Sequence, residues 1–62
     1  MKKKIGYIKY NDQLFEVFWD TETKLVWCKD DKGTLTNFND AKALAENVVI
    51  DCAKEMLKSS GL

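Results

Sequence analysis

The sequence predicts an α+β domain: a small antiparallel β-meander of three strands plus a short fourth, packed on one face by a single C-terminal α-helix. Two observations predict it. From Ile5 to Phe38, aromatic and β-branched residues fill short runs of strand length, and turn signals break the stretch three times. Beyond Asn39 the apolar spacing changes to three and four, the period of a helix. The 62 residues leave room for one domain, 1–62, and no second.

The first strand is expected at Ile5–Tyr10. Asn11-Asp12 follows as a two-residue turn, because Asn and Asp tolerate the positive φ angles of a primed turn. This register sets Ile8 opposite Phe15, Gly6 opposite Val17 and Ile5 opposite Phe18. The second strand is expected at Leu14–Asp20. The connection "TETK" lacks the glycine that a bulged three-residue loop prefers, so a four-residue loop, Thr21–Lys24, is expected. Trp19 then opposes Val26, Phe18 opposes Trp27, Val17 opposes Cys28 and Glu16 opposes Lys29. The third strand is expected at Leu25–Asp30. Asp31-Lys32-Gly33 fits a three-residue loop with Gly33 left-handed. A fourth strand, Thr34–Phe38, would set Phe38 beside Val26.

The helix is expected over residues 40–58. Asn39 or Asp40 would cap it, and Gly61 would break the chain after it. At about 100° per residue, Ala41, Leu44, Ala45, Val48, Val49, Cys52 and Met56 form its core stripe. Ala43, Ile50 and Leu57 lie on the far side at heptad spacing, as a narrow seam for another helix.

One helix covers one face of a small sheet. The face with Ile8, Tyr10, Phe15, Val17, Trp19, Val26, Cys28 and Phe38 is nearly all apolar and takes it, so Trp19 should be buried. Gly6 on that face leaves space for Trp19 or the helix. The other face mixes Ile5, Tyr7, Phe18, Leu25, Trp27 and Lys29 with Lys9, Leu14, Glu16 and Leu35, and Trp27 should be the more exposed tryptophan. An ordinary solvent face would be polar throughout. Either Phe18 and Trp27 cover each other under lysine stems, or the patch meets a partner. Ile5, Tyr7, Phe18, Leu25, Trp27, Lys29, Ile50 and Leu57 are the candidate partner-binding residues.

Composition excludes much chemistry. Without histidine there is no Ser/His or Cys/His nucleophile, and Cys28 and Cys52 lack the co-ligands of a zinc site. Three isolated glycines make no phosphate loop. Asp30-Asp31 reads as a solvated turn. No enzyme activity, cofactor or metal is expected. The cysteines are expected reduced and buried; a Cys28–Cys52 disulfide is the alternative, disfavoured in a reducing compartment.

Ten lysines balance ten acids and there is no arginine, which argues against nucleic acid as partner. Lys2-Lys3-Lys4 reads as a solubilising tail, with a phosphate-touching arm as the alternative. No run approaches the ~18 apolar residues of a membrane span, and no signal-peptide core follows the lysines; a cytoplasmic protein without a membrane partner is expected. Lysine and asparagine without arginine suit an AT-rich genome, as in a phage or mobile element. The expected function is a small protein-binding module or regulator that docks its aromatic sheet face, its helix or both on a protein partner. A second copy is one such partner.

Nucleic-acid binding is the alternative. Three strands followed by a helix, over "YIKYNDQLFEVFWD" through "NFNDAKALAE", resembles the arm-type DNA-binding domain at the N-terminus of tyrosine recombinases. The resemblance implies a sheet that enters the major groove with basic side chains. The matching strands here carry Lys9 and Lys29 beside Glu16, Asp20 and Leu25. Single-stranded bases could instead stack on Tyr7, Phe18 and Trp27.

Overall fold

In the computed structural model, residues 1–60 are described. They form β1 (Lys2–Tyr10), β2 (Gln13–Asp20), β3 (Val26–Lys29), β4 (Leu35–Thr36) and α1 (Val49–Ser59). The strands make an antiparallel sheet in the order β1-β2-β3-β4, with α1 on one face.

Each hairpin follows from its turn residues. Asn11 (φ 50°) and Asp12 (φ 61°) are both left-handed, as a primed two-residue turn requires. In the second turn the Asp20 carboxylate accepts the N–H groups of Glu22 and Thr23 at 2.9 and 3.0 Å. Asp20 N and Leu25 O close a four-residue loop at 2.9 Å, and Lys24 takes its left-handed position at φ 68°. Register between β2 and β3 is as expected, from Glu16 opposite Lys29 to Trp19 opposite Val26. In the third turn Gly33 is left-handed at φ 87°. The Asp30 carboxylate accepts the N–H groups of Lys32 and Thr34, each at 2.9 Å.

β1 departs from expectation. It begins at Lys2, so the lysine run is part of the sheet. Lys4 opposes Phe18 and Gly6 opposes Val17, which leaves Ile5 as the extra residue of a bulge. The bulge turns Ile5 onto the core and off the outer face. Gly6 faces α1, where a Cβ would lie 3.8 Å from Ile50 Cδ1.

The chain after β4 departs further. β4 ends at Thr36, and Asn39 (φ 56°) and Asp40 (φ 50°) are left-handed. A right-handed helix cannot start across two such residues. The Asn37 side-chain amide donates to Val26 O and Ala41 O at 2.6 and 3.2 Å, holding this excursion closed. Thus Phe38 does not pair with Val26; Val26 N donates instead to Ala41 O at 2.9 Å. Ala43 N donates to Lys24 O at 2.8 Å, and Lys42 pairs with Leu25. Ala41–Ala43 therefore extends the sheet edge where helix was expected.

After extended Ala45 and one 3-10 turn at Glu46–Val48, α1 begins at Val49 without a side-chain cap. Ala41, Leu44, Ala45 and Val48 lie outside it and cannot set its phase. Its own stripe is Val49, Ala53, Met56 and Leu57, about a quarter turn from the expected one. Leu44 is 85% exposed and Val48 is exposed, while Leu57 is fully buried and Ala43 nearly so. Ile50 is half-buried against Gly6. No exposed Ala43–Ile50–Leu57 seam exists. Gly61, the expected breaker, lies outside the described residues; Ser60 N closes the last turn onto Met56 O at 3.1 Å.

The core joins Ile8, Phe15, Val17, Trp19, Val26 and Cys28 of the sheet to Ala43 and the α1 stripe. Trp19 is 7% exposed, and its indole N–H donates to Ala43 O at 3.0 Å. Cys28 and Cys52 are free thiols; Cys28 is buried and Cys52 only half-buried.

Candidate interaction surface

Side chains alternate across a strand, so fixing the inner face fixes the outer one. β2 turns Leu14, Glu16, Phe18 and Asp20 outward, and β3 turns Trp27 and Lys29 outward. Leu35, opposite Lys29, joins them from β4. From β1 come Tyr7 and Lys9 and, beyond the bulge, Lys2 and Lys4. Leu25 and Lys42 complete the far corner.

Among the expected partner-binding residues, the fold thus gathers Tyr7, Phe18, Leu25, Trp27 and Lys29. Tyr7 is 53% exposed, and the other four are half-buried. Ile5, Ile50 and Leu57 do not join them: all three pack on or in the core. The sequence reading missed Lys2 and Lys4. The lone glycine inside a strand pattern was the available signal, because it often marks a bulge.

Lysines cover part of the aromatic floor. Lys2 Nζ lies 4.7 Å from the centre of the Trp27 ring, on which Phe18 is the cross-strand neighbour. Lys4 Nζ donates to Tyr7 Oη at 2.7 Å and to Glu16 Oε2 at 3.0 Å. These two bonds, Tyr7 first, raise the Lys4 pKa above its ordinary value. Lys3 turns to the other side and pairs with Glu46. The Trp27 indole N–H is buried and has no acceptor among the described residues.

Charge is segregated although the chain is neutral. Lys2, Lys4, Lys9 and Lys29 share the outward strand positions with Glu16 and Asp20, and Asp30 and Asp31 stand at the end of the face beside the third turn. Glu16 is taken by Lys4. The Asp20 carboxylate is held down to a pKa of about 2 by the backbone N–H groups of Thr23 and Glu22. The remaining acids lie outside the outward positions of β1, β2 and β3.

Two shallow grooves mark this face. One of about 300 Å³ is lined by Lys2, Phe18, Lys29, Gly33 and Leu35. Its neighbour, about 260 Å³, meets it at Lys29 and Gly33 and runs past Tyr7 and Leu14 to Glu16, Asp30 and Asp31. Among the described residues no cluster of three metal-ligating side chains occurs, and no helix is long and apolar enough to cross a membrane. Burial pushes the Cys28 thiol up to about 11, with a smaller contribution from Cys52.

Comparison with protein-family models, curated proteins and solved structures gave no match for this chain. The arm-type resemblance therefore stands on element order, and its second stretch, "NFNDAKALAE", holds no α-helix, only a 3-10 turn at Phe38–Asp40 and the start of another at Glu46.

Proposed function

We propose that this chain is a small non-enzymatic protein-binding module that docks its outer sheet face on a partner protein and regulates it by occlusion. One observation carries the reading. α1 packs on the inner face, while Tyr7, Phe18, Leu25, Trp27 and Leu35 sit together on the other. Aromatic side chains that lose water on contact supply most of the energy in such interfaces. The lysines make a second copy a poor occupant, because isologous pairing would set like charges against each other. The arginine-free composition supports a phage or mobile-element setting.

Single-stranded nucleic acid is the second reading. The observation favouring it is that Lys2, Lys4, Lys9 and Lys29 interleave with Tyr7, Phe18 and Trp27, as stacking platforms require.

Affinity capture from the native host tests both. The protein reading expects a defined, nuclease-resistant partner that wild type and Leu44→Ala retain and Trp27→Ala loses. Capture that Trp27→Ala leaves unchanged would reject this face. Capture of nuclease-sensitive material that weakens steeply with salt would favour the second reading.

A further inference from the structure

We infer that the groove between Lys2 and Lys29 binds an extended acidic segment of a partner protein, in which carboxylates alternate with aromatic or aliphatic side chains. This rests on the protein-binding reading and names the chemistry of its partner. Lys2 and Lys29 are the charged groups lining the groove, and both are cationic. Between them Phe18 and Leu35 form an apolar floor. Gly33 contributes no side chain to the rim, and the Lys29 stem runs beside it, 4.0 Å from where a Cβ would stand.

The groove therefore asks two things of one ligand. Its charge should be negative, because the groove itself is lined by no acid: Glu16 is held by Lys4, Asp20 by its own turn and the N-terminal ammonium, and Asp30 and Asp31 lie in the adjoining groove. Its body must also be apolar, to cover Phe18 and Leu35. A strand-like peptide meets both demands, since successive side chains of an extended chain point to opposite sides. A purely anionic chain meets only the first.

Charge also sets a direction. The adjoining groove ends at Glu16, Asp30 and Asp31. Carboxylates of the ligand are repelled there, so the alternating stretch lies between Lys2 and Lys29, and any continuation past Tyr7 and Leu14 is apolar.

Nitrogen–proton correlation spectra of the intact chain test this, using a random glutamate–tyrosine copolymer as probe, with poly-glutamate and oligo-dT for comparison. The two tryptophan indole signals are built-in reporters: Trp27 lies beside the groove, while Trp19 is bonded to Ala43 O in the core. The copolymer should shift the Trp27 indole and the amides of Lys2, Phe18, Lys29 and Leu35, and leave the Trp19 indole in place. Lys29→Glu should weaken binding about tenfold or more, while Lys54→Glu on α1 should not, and the amide spectra show that each variant folds. Poly-glutamate binding as tightly as the copolymer would overturn the inference, since the apolar floor would then contribute nothing. So would an absence of copolymer shifts; if host capture still depended on Trp27, the protein-binding reading would survive alone. Oligo-dT binding more tightly than the copolymer would overturn both.

Discussion

The two faces of the sheet are built from the same strands and differ in what they may leave uncovered. On the inner face, Phe15, Val17, Trp19, Val26 and Cys28 are sealed by α1, and the Trp19 N–H has an acceptor. On the outer face, Phe18 and Trp27 stay half-buried, the Trp27 N–H has no acceptor among the described residues, and Lys2 lies over the Trp27 ring. Lysine stems are mobile and solvated, so they screen an aromatic surface without committing it. The inner face is therefore where sequence changes cost stability, and the outer face is where they should cost binding.

The sharpest way to break this contrast is at Leu57, which the heptad pattern placed on the surface and the fold buries completely. Leu57→Ala should lower unfolding free energy by about 2–5 kcal/mol, measured by denaturant titration. A loss within the range of surface substitutions would mean that α1 is rotated. Leu44→Ala, at an exposed site, should change stability by less than about 0.5 kcal/mol.

The tryptophans test the two faces directly. Trp19→Ala should destabilise by about 3–5 kcal/mol, whereas Trp27→Ala should cost about 1 kcal/mol and abolish partner capture. Equal costs in thermal melts would make the outer face a second core.

Thiol labelling separates depth within the inner side. Cys28 is buried and its thiol is pushed up to about 11, so it should react more slowly than half-buried Cys52, whose pKa burial also raises. Faster labelling of Cys28, read by mass spectrometry, would place it at the surface.

Acid tests the hinge between β2 and β3. The Asp20 pKa falls from 3.8 to about 2 in the folded chain. A depressed carboxylate stabilises the fold above its unfolded pKa, and that contribution is lost as pH falls from 3.8 toward 2. Melting temperature should drop through this window, and the drop should be shallower in Asp20→Asn.

The smallest expected effect is at the bulge. A Cβ at Gly6 would meet Ile50 Cδ1 at 3.8 Å, an ordinary contact. Gly6→Ala should therefore be tolerated, with a gain of about 0.4–1 kcal/mol from the stiffer unfolded chain. A large loss would show that the bulge needs a conformation only glycine adopts.

By itself the sequence determined the three turns, the β2–β3 register, the β1–β2 register from Gly6 to Tyr10 and most of the inner face, because side-chain periodicity and local turn chemistry act over a few residues. Asn11-Asp12, Asp20 and Gly33 each carry their turn in their own side chains or backbone freedom. The outer aromatic cluster was legible for the same reason: Phe18 and Trp27 follow from register. The second Asn-Asp pair, Asn39-Asp40, held the same left-handed signal as the first, but it was equally compatible with a helix cap. Only tertiary structure decided between them, because Ala41–Ala43 gains a sheet edge at Leu25 and Val26 that a helix would forfeit. That choice removed Ala41, Leu44, Ala45 and Val48 from the helix and so rotated the face that α1 buries. The bulge at Ile5 was likewise decided by packing. It turns an isoleucine into the core and places Lys2 and Lys4 beside the outer aromatics, a juxtaposition that neutral net charge had concealed.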